Sequence, residues 1–334
     1  MDCVYFSKNF KKIIDKIDYS NLKDKVGIKV HFGEKGNKTY LNPDFAKKVH
    51  KKVKNSGKKS ALVECNVLYR GSRTSAKDHL KVAKEHGFGF APIDILDGEN
   101  GQSKIDLPVK NGVVENAKIG EGIKNYNSLI VLSHFKGHSG TGFGGALKNI
   151  GMGLGSRAGK LHMHSDISPS IHTERCTNCH ACVENCDVSA IKKTEKGLKI
   201  DPEKCIGCAM CIAICEYGAV SIPWSGSTNR KLQEKIVDYC RAVIDYFNRN
   251  LVYINVLKNI TEDCDCVGRL MDPIMDDIGI LMSTNPIAVE KESLKLANEF
   301  SNGKFKRINP VKNEHMIEYA EEKLGKVDYE VKKI

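Results

Sequence analysis

Eight of the thirteen cysteines in this 334-residue chain fall within 40 residues, and no other feature constrains its folding as much. They read Cys176-x2-Cys179-x2-Cys182-x3-Cys186 and, 29 residues on, Cys205-x2-Cys208-x2-Cys211-x3-Cys215. Two-residue gaps let consecutive thiolates converge from one tight loop onto one inorganic core, as four-coordinate iron requires. The halves align without a gap: Glu174-Arg175-Cys176 matches Glu203-Lys204-Cys205, and Ala190-Ile191 matches Ala219-Val220. Chance does not readily duplicate such a pattern. A pair of structural zinc sites would also use four thiolates each. Such sites usually split their ligands into two pairs with a longer gap, whereas three cysteines crowd each loop here. Disulfides are a poorer alternative, because nothing else in the chain points to an oxidising compartment.

Over about residues 170–224 the pattern resembles a bacterial two-cluster ferredoxin. In that family the fourth cysteine of each run ligates the other cluster. The resemblance therefore implies two [4Fe-4S] clusters, one on Cys176, Cys179, Cys182 and Cys215, the other on Cys205, Cys208, Cys211 and Cys186. The family usually has proline after the fourth cysteine, where this chain has Asp187 and Glu216. Two carboxylates beside anionic clusters disfavour adding an electron, so low reduction potentials are expected.

The length suggests two domains and ample material for a core. With 41% apolar and 28% charged residues the chain is an ordinary soluble globular protein. No apolar run approaches the ~18 residues that span a bilayer, and the N-terminal Met1-Asp2-Cys3-Val4-Tyr5-Phe6-Ser7 does not read as a secretory leader. A cytoplasmic location without membrane attachment is expected. The formal charge of +11 overstates the case for an anionic polymer as partner. Each cluster with four thiolates would carry about −2, and the lysines are spread over the polar faces of expected helices. Without interleaved aromatics the composition argues against nucleic-acid binding; steering of an acidic redox partner remains open.

Taken in order, Lys25–Phe32 reads as a strand and Asn42-Pro43-Asp44 as a helix start, the helix running to about Asn55. Ser60–Cys65 is a second strand, and Ser75-x-x-Asp78 opens a helix that ends near His86. Pro92–Leu96 is a third strand, and residues 98–122 read as hairpins. Ser128–Phe135 is the most continuous apolar strand and suggests burial on both faces. After Trp224 come an amphipathic helix over Lys231–Phe247, with Ile236, Cys240, Val243 and Phe247 on one face, a strand over Leu251–Leu257, a strand over Ile278–Met282, and a helix from about Asn285 into Glu299. This alternation predicts an α/β fold: a mostly parallel-sheet three-layer host made of residues 1–168 and 225–334, with a small α+β ferredoxin-like domain (169–224) inserted. A separate C-terminal domain is the alternative.

Outside the cysteine repeats the most unusual segment runs from His134 to Gly153. Its glycines permit close backbone approach and its amides open a helix, an arrangement that favours anions. Gly140, Gly142, Gly144, Gly145, Lys148 and Asn149 are the candidate residues for an anionic cofactor. The segment is neither a P-loop nor a clean dinucleotide fingerprint, and a glycine-rich turn needed only for packing is the competing reading. His134 and His138 flank a short turn, and His31 ends another strand. In a parallel sheet such ends gather on one edge, where open α/β folds bind ligands. Cys264-Asp265-Cys266 suits a turn that clips a metal or forms a redox pair, although its spacing is too short for an easy disulfide. Cys264, Cys266, His31, His134 and His138 are thus candidates for a further metal site. Cys240 reads as core.

The host segments together resemble DUF362, a family of unknown function often described as iron–sulfur centre proteins. The carrying residues are Lys29 to Glu34, Asn66 to Gly71, His134 to Gly153, Asp263 to Cys266 and Asp277 to Leu281. The glycine-rich stretch is also similar, over a short span, to the ligand-binding stretch of lactate racemase-type proteins. The leading expectation is an electron-transfer oxidoreductase whose clusters relay electrons between a redox partner protein and a small-molecule ligand in the host. The alternatives are a dedicated ferredoxin whose host domain only docks a partner, and a ligand-binding protein with structural clusters. No flavin or nicotinamide motif is recognisable.

Overall fold

A computed structural model describes residues 1–224, 226–309 and 311–334; position 225, where the second host segment was expected to begin, lies outside them. Its centre is an eight-stranded sheet in the order Tyr329–Lys333, Asp2–Ser7, Gly279–Ser283, Leu251–Leu257, Ser128–His134, Lys25–Lys29, Lys59–Glu64, Ile93–Ile95. The run from Leu251–Leu257 to Ile93–Ile95 is parallel throughout. Gly279–Ser283 pairs antiparallel with both its neighbours. The fold is therefore mixed α/β with a mostly parallel sheet. Strands from before and after the cysteine repeats lie side by side in it, Leu251–Leu257 running parallel to Ser128–His134.

Burial on both faces explains the unbroken apolar strands. Leu129 and Val131 pack into one core with the helices Ala146–Leu154, Asn229–Tyr246 and Pro286–Phe300. Ile130 and Leu132 face the other core, which holds the helix Pro43–Asn55. Local chemistry sets the helix starts. Asn42 accepts the amide of Asp44 (2.9 Å), Ser75 accepts that of Asp78 (3.1 Å), and Asn285 accepts those of Ile287 and Ala288. Ile236, Cys240, Val243 and Phe247 form the buried stripe of the helix Asn229–Tyr246 and the residue after it. Three features differ from the sequence reading. Asp2–Ser7 and Tyr329–Lys333 add strands where no clear alternation signals them, and a short hairpin, Lys136–His138 with Gly142–Gly144, separates the strand Ser128–His134 from the helix Ala146–Leu154.

The cysteine repeats form a two-stranded sheet pair with a third apolar core. Its duplication extends to the backbone. The left-handed residues Asn178, His180 and Ser189 correspond, at the 29-residue offset, to Gly207, Ala209 and Gly218, which are also left-handed. Ser170–Ile171 pairs with Val220–Ser221, and Ile191–Thr194 with Gly197–Ile200, so each small sheet joins one strand from each half. The halves are thus intertwined around an approximate two-fold. Leu68 and Leu161 of the host complete this core.

Candidate functional site

The intertwining decides which thiols meet. One small cavity is lined by Cys176, Cys179, Cys182 and Cys215 and closed by Ile171, Leu198 and Val220. A second is lined by Cys186, Cys205, Cys208 and Cys211 and closed by Val188, Ile191, Ile200 and Ile206. The fourth cysteine of each half accepts an amide, Ala190 N–H to Cys186 Sγ and Ala219 N–H to Cys215 Sγ, both at 3.2 Å. Burial, and then Cys176 and Cys215, raise the Cys182 thiol. Burial, and then Cys208 and Cys205, push Cys211 up to about 12. Four soft donors, an apolar wall and N–H···S bonds make a donor set that fits a [4Fe-4S] cluster. Among the described residues no group of three or more His, Cys, Asp or Glu is set to hold a single metal ion. A cubane asks for something different, since each thiolate bonds a different corner.

A larger cavity, about 480 Å³, opens at the C-terminal ends of the central parallel strands, where open α/β sheets place ligands. His31, Glu64, Cys65, Ser133 and His134 come from those ends. Gly140, Gly144, Gly145, Lys148 and Asn149 come from the glycine-rich segment, Arg73 and Leu68 from the loop after Lys59–Glu64, and Cys264 and Cys266 from the turn after Leu251–Leu257. Among its charged lining residues the cations Arg73, Lys136, Lys148 and Lys160 outnumber the carboxylate of Glu64. Arg73 pairs with Glu34 (3.2 Å) and Lys136 with Asp265 (2.8 Å). The Lys160 ammonium donates to the Gly155 carbonyl, and Lys148 Nζ lies 3.6 Å from Cys264 Sγ. Burial and this positive field together favour the neutral form of His31, His138 and His164. Burial, then Arg73 and Lys136, lowers His31 well below its ordinary range, and burial, then Lys148, does the same to His138. Burial and Lys148 bring His164 down to about 4.

Asp265 anchors the Cys264–Cys266 turn. Its carboxylate accepts from His134 Nδ1 (2.9 Å) and Lys136 Nζ (2.8 Å) while its carbonyl accepts the Glu34 amide. Burial alone would raise it, but His134 and Lys136 hold it well below the carboxylate range. The neighbouring Cys266 side chain, then Lys148 and Lys136, hold Cys264 well below an ordinary thiol against its burial, and Cys266 rises in return.

Two expectations need correction. The helix N-terminus at Ala146 is filled by the protein itself: the buried Glu290 accepts the Ala146 amide, and Gly145 is required because a Cβ there would strike the Glu290 oxygens. Gly142 lies outside the cavity, its positive φ of 79° placing it against Asn313. All five candidates for a further metal site line the cavity, but His134 spends both ring nitrogens, on Asp265 and on the Lys258 carbonyl, and His31 meets the Gly33 amide and Arg73. His162 and His164 diverge, the first meeting Tyr239 and the second Trp224. Sequence reasoning missed Arg73, Lys136 and Lys160. Arg73 follows the Asn66–Gly71 stretch and Lys136 lies inside the His134–Gly153 segment, while Lys160, in the helix Arg157–His164, carried no signal, since burial and ion pairing are not written in spacing.

The family described as "Domain of unknown function (DUF362)" matches residues 26–295. No curated protein matches. Among solved structures, the lactate racemase apoprotein from Thermoanaerobacterium thermosaccharolyticum is similar at 12% identity, with a TM-score of 0.46 over 89% of this chain and 57% of the other. A Thermotoga maritima protein is similar at 10% identity, with a TM-score of 0.44 over 88% of this chain and 57% of the other. The chain thus spans little more than half the length of either.

Proposed function

Because the chain belongs to the DUF362 family, whose description names no activity, we propose its function from its own side chains: an iron–sulfur electron-transfer protein, acting as an oxidoreductase on a ligand in the host cavity. The observation that carries this reading is the pair of small cavities, each lined by four cysteines drawn crosswise from both repeats. Two [4Fe-4S] clusters, when bound there, supply single-electron transfer. Residues 169–224 serve as the ferredoxin-like unit, and 1–168 with 225–334 as its host.

The chain's own residues connect the two. Leu68 lines the host cavity and belongs to the same apolar core as Cys182. Arg70 Nη1 donates to the Cys215 carbonyl at 3.5 Å, and the adjacent Tyr69 hydroxyl lies 2.9 Å from the Cys266 carbonyl. A dedicated carrier would have no use for a cationic cavity at the end of this route. Ile206 and Tyr217 stand exposed beside the two cysteine sets, a surface suited to a redox partner. Eight cysteines set as cluster thiolates suit a reducing cytoplasm, and no helix among the described residues is long and apolar enough to cross a membrane.

The test is anaerobic purification followed by metal and sulfide analysis and a redox titration. About eight irons per chain, bleached by dithionite, is the expected result. Zinc in place of iron overturns the reading.

A further inference from the structure

We propose that Cys264 and Cys266 form a redox-active dithiol–disulfide pair at the wall of the host cavity, acting on small disulfides that carry carboxylates. Both residues line the cavity. The turn that carries them is closed by the Val267 amide donating to the Cys264 carbonyl at 3.0 Å, which keeps the two side chains on one short bend. Asp265 between them points into His134 and Lys136 and pins the bend. Lys148 Nζ, 3.6 Å from Cys264 Sγ, sets a cation beside the attacking sulfur. The short spacing becomes an advantage here. A link between cysteines two apart is strained, and a strained disulfide is the readily reduced, catalytic kind. Lys136, Lys160 and Arg73 on the same walls suit carboxylate-bearing substrates.

The chemistry balances in three steps. The Cys264 thiolate attacks one sulfur of the substrate disulfide, so a Cys264–substrate disulfide forms and one thiolate leaves. The Cys266 thiol then gives its proton to the departed thiolate and attacks Cys264 Sγ, forming the Cys264–Cys266 disulfide and releasing the second thiolate. Two electrons, taken one at a time from a low-potential one-electron donor protein along the Cys215–Arg70–Tyr69–Cys266 route, with one proton from water restore the Cys264 thiolate and the Cys266 thiol, and the second released thiolate takes its proton from water. This last step rests on the electron-transfer reading above; the first two do not.

The full chain, prepared anaerobically with its iron, is oxidised with diamide, alkylated, digested and mapped by mass spectrometry. The expected peptide spanning Cys264 and Cys266 is unalkylated and two hydrogens lighter, and dithionite restores both thiols. A peptide alkylated at both cysteines after diamide overturns the proposal. Thiol release from dithiodiglycolate by the reduced protein is expected to fall to the uncatalysed background in Cys264→Ser and to stop after a single release per chain in Cys266→Ser, while bleaching of the visible absorbance is retained in both. Equal release by the wild type and Cys264→Ser also overturns it. Loss of iron and bleaching with the internal link still forming would sink the electron-transfer reading and support the dithiol.

Discussion

Glu290 gives the sharpest test of the electrostatics around the cavity. It is fully buried, its Oε1 accepts the Ala146 amide and Asn255 Nδ2, and its Oε2 has no partner among the described residues. Burial raises its carboxyl from 4.5 to about 7, against the opposing pull of Asn255 and the amides of Ala146 and Leu147. Below about pH 4.5 the group is protonated folded and unfolded, and folding is not penalised. Between the two values the unfolded chain ionises while the folded chain keeps its proton, so stability falls as the pH rises. Above both, the cost is constant at about 3 kcal/mol. Glu290→Gln keeps the shape, puts a donor where the protonated oxygen lay, and never ionises. Urea unfolding of both proteins under anaerobic conditions reads the difference. The variant is expected to gain about 3 kcal/mol on the wild type between about pH 4.5 and about pH 8. A change under about 1 kcal/mol would refute the reasoning, because the site would then be solvating the carboxylate as well as water does.

Further expectations concern the same frame. Asp265→Asn leaves Lys136 buried without its anion and should cost about 3–5 kcal/mol in urea unfolding near neutral pH. Since Asp265 is held below the ordinary carboxylate range, that cost should shrink as the pH falls through and below about 4, and a pH-independent cost would show that packing alone is lost. Cys215→Ser should lose about half the iron, and iron analysis with spectroscopy should show the Cys186 set intact. Gly151→Ala drives a methyl into the Ile236 carbonyl of the neighbouring helix and should cost about 1–3 kcal/mol, read as a lower melting temperature.

Much of the fold was legible in the chain because it is written locally. Asn42-Pro43, Ser75-x-x-Asp78 and Asn285 state their caps outright, and the apolar run of Ser128–His134 states that both its faces are covered. The strand Asp2–Ser7 and the edge strand Tyr329–Lys333 were not legible, since their pairing depends on partners some 300 residues away and their exposure pattern carries little alternation. The candidate site divides the same way. His31, His134, Lys148 and the Cys264–Cys266 turn stood out as loop residues at strand ends. That Glu290 fills the glycine-rich helix N-terminus was invisible, because the two groups are 144 residues apart in the chain.

By itself the sequence determined the thiol spacing, the duplication and the loop chemistry, all of which act within a few residues. The tertiary structure gathers the crosswise thiol sets that the ferredoxin resemblance implied into two cavities, because the two halves exchange strands. It alone decided that four cations and a pair of cysteines face one space at the strand ends. The physical reason is common to both: burial, charge pairing and the direction of a side chain are properties of the packed chain, and no spacing rule contains them.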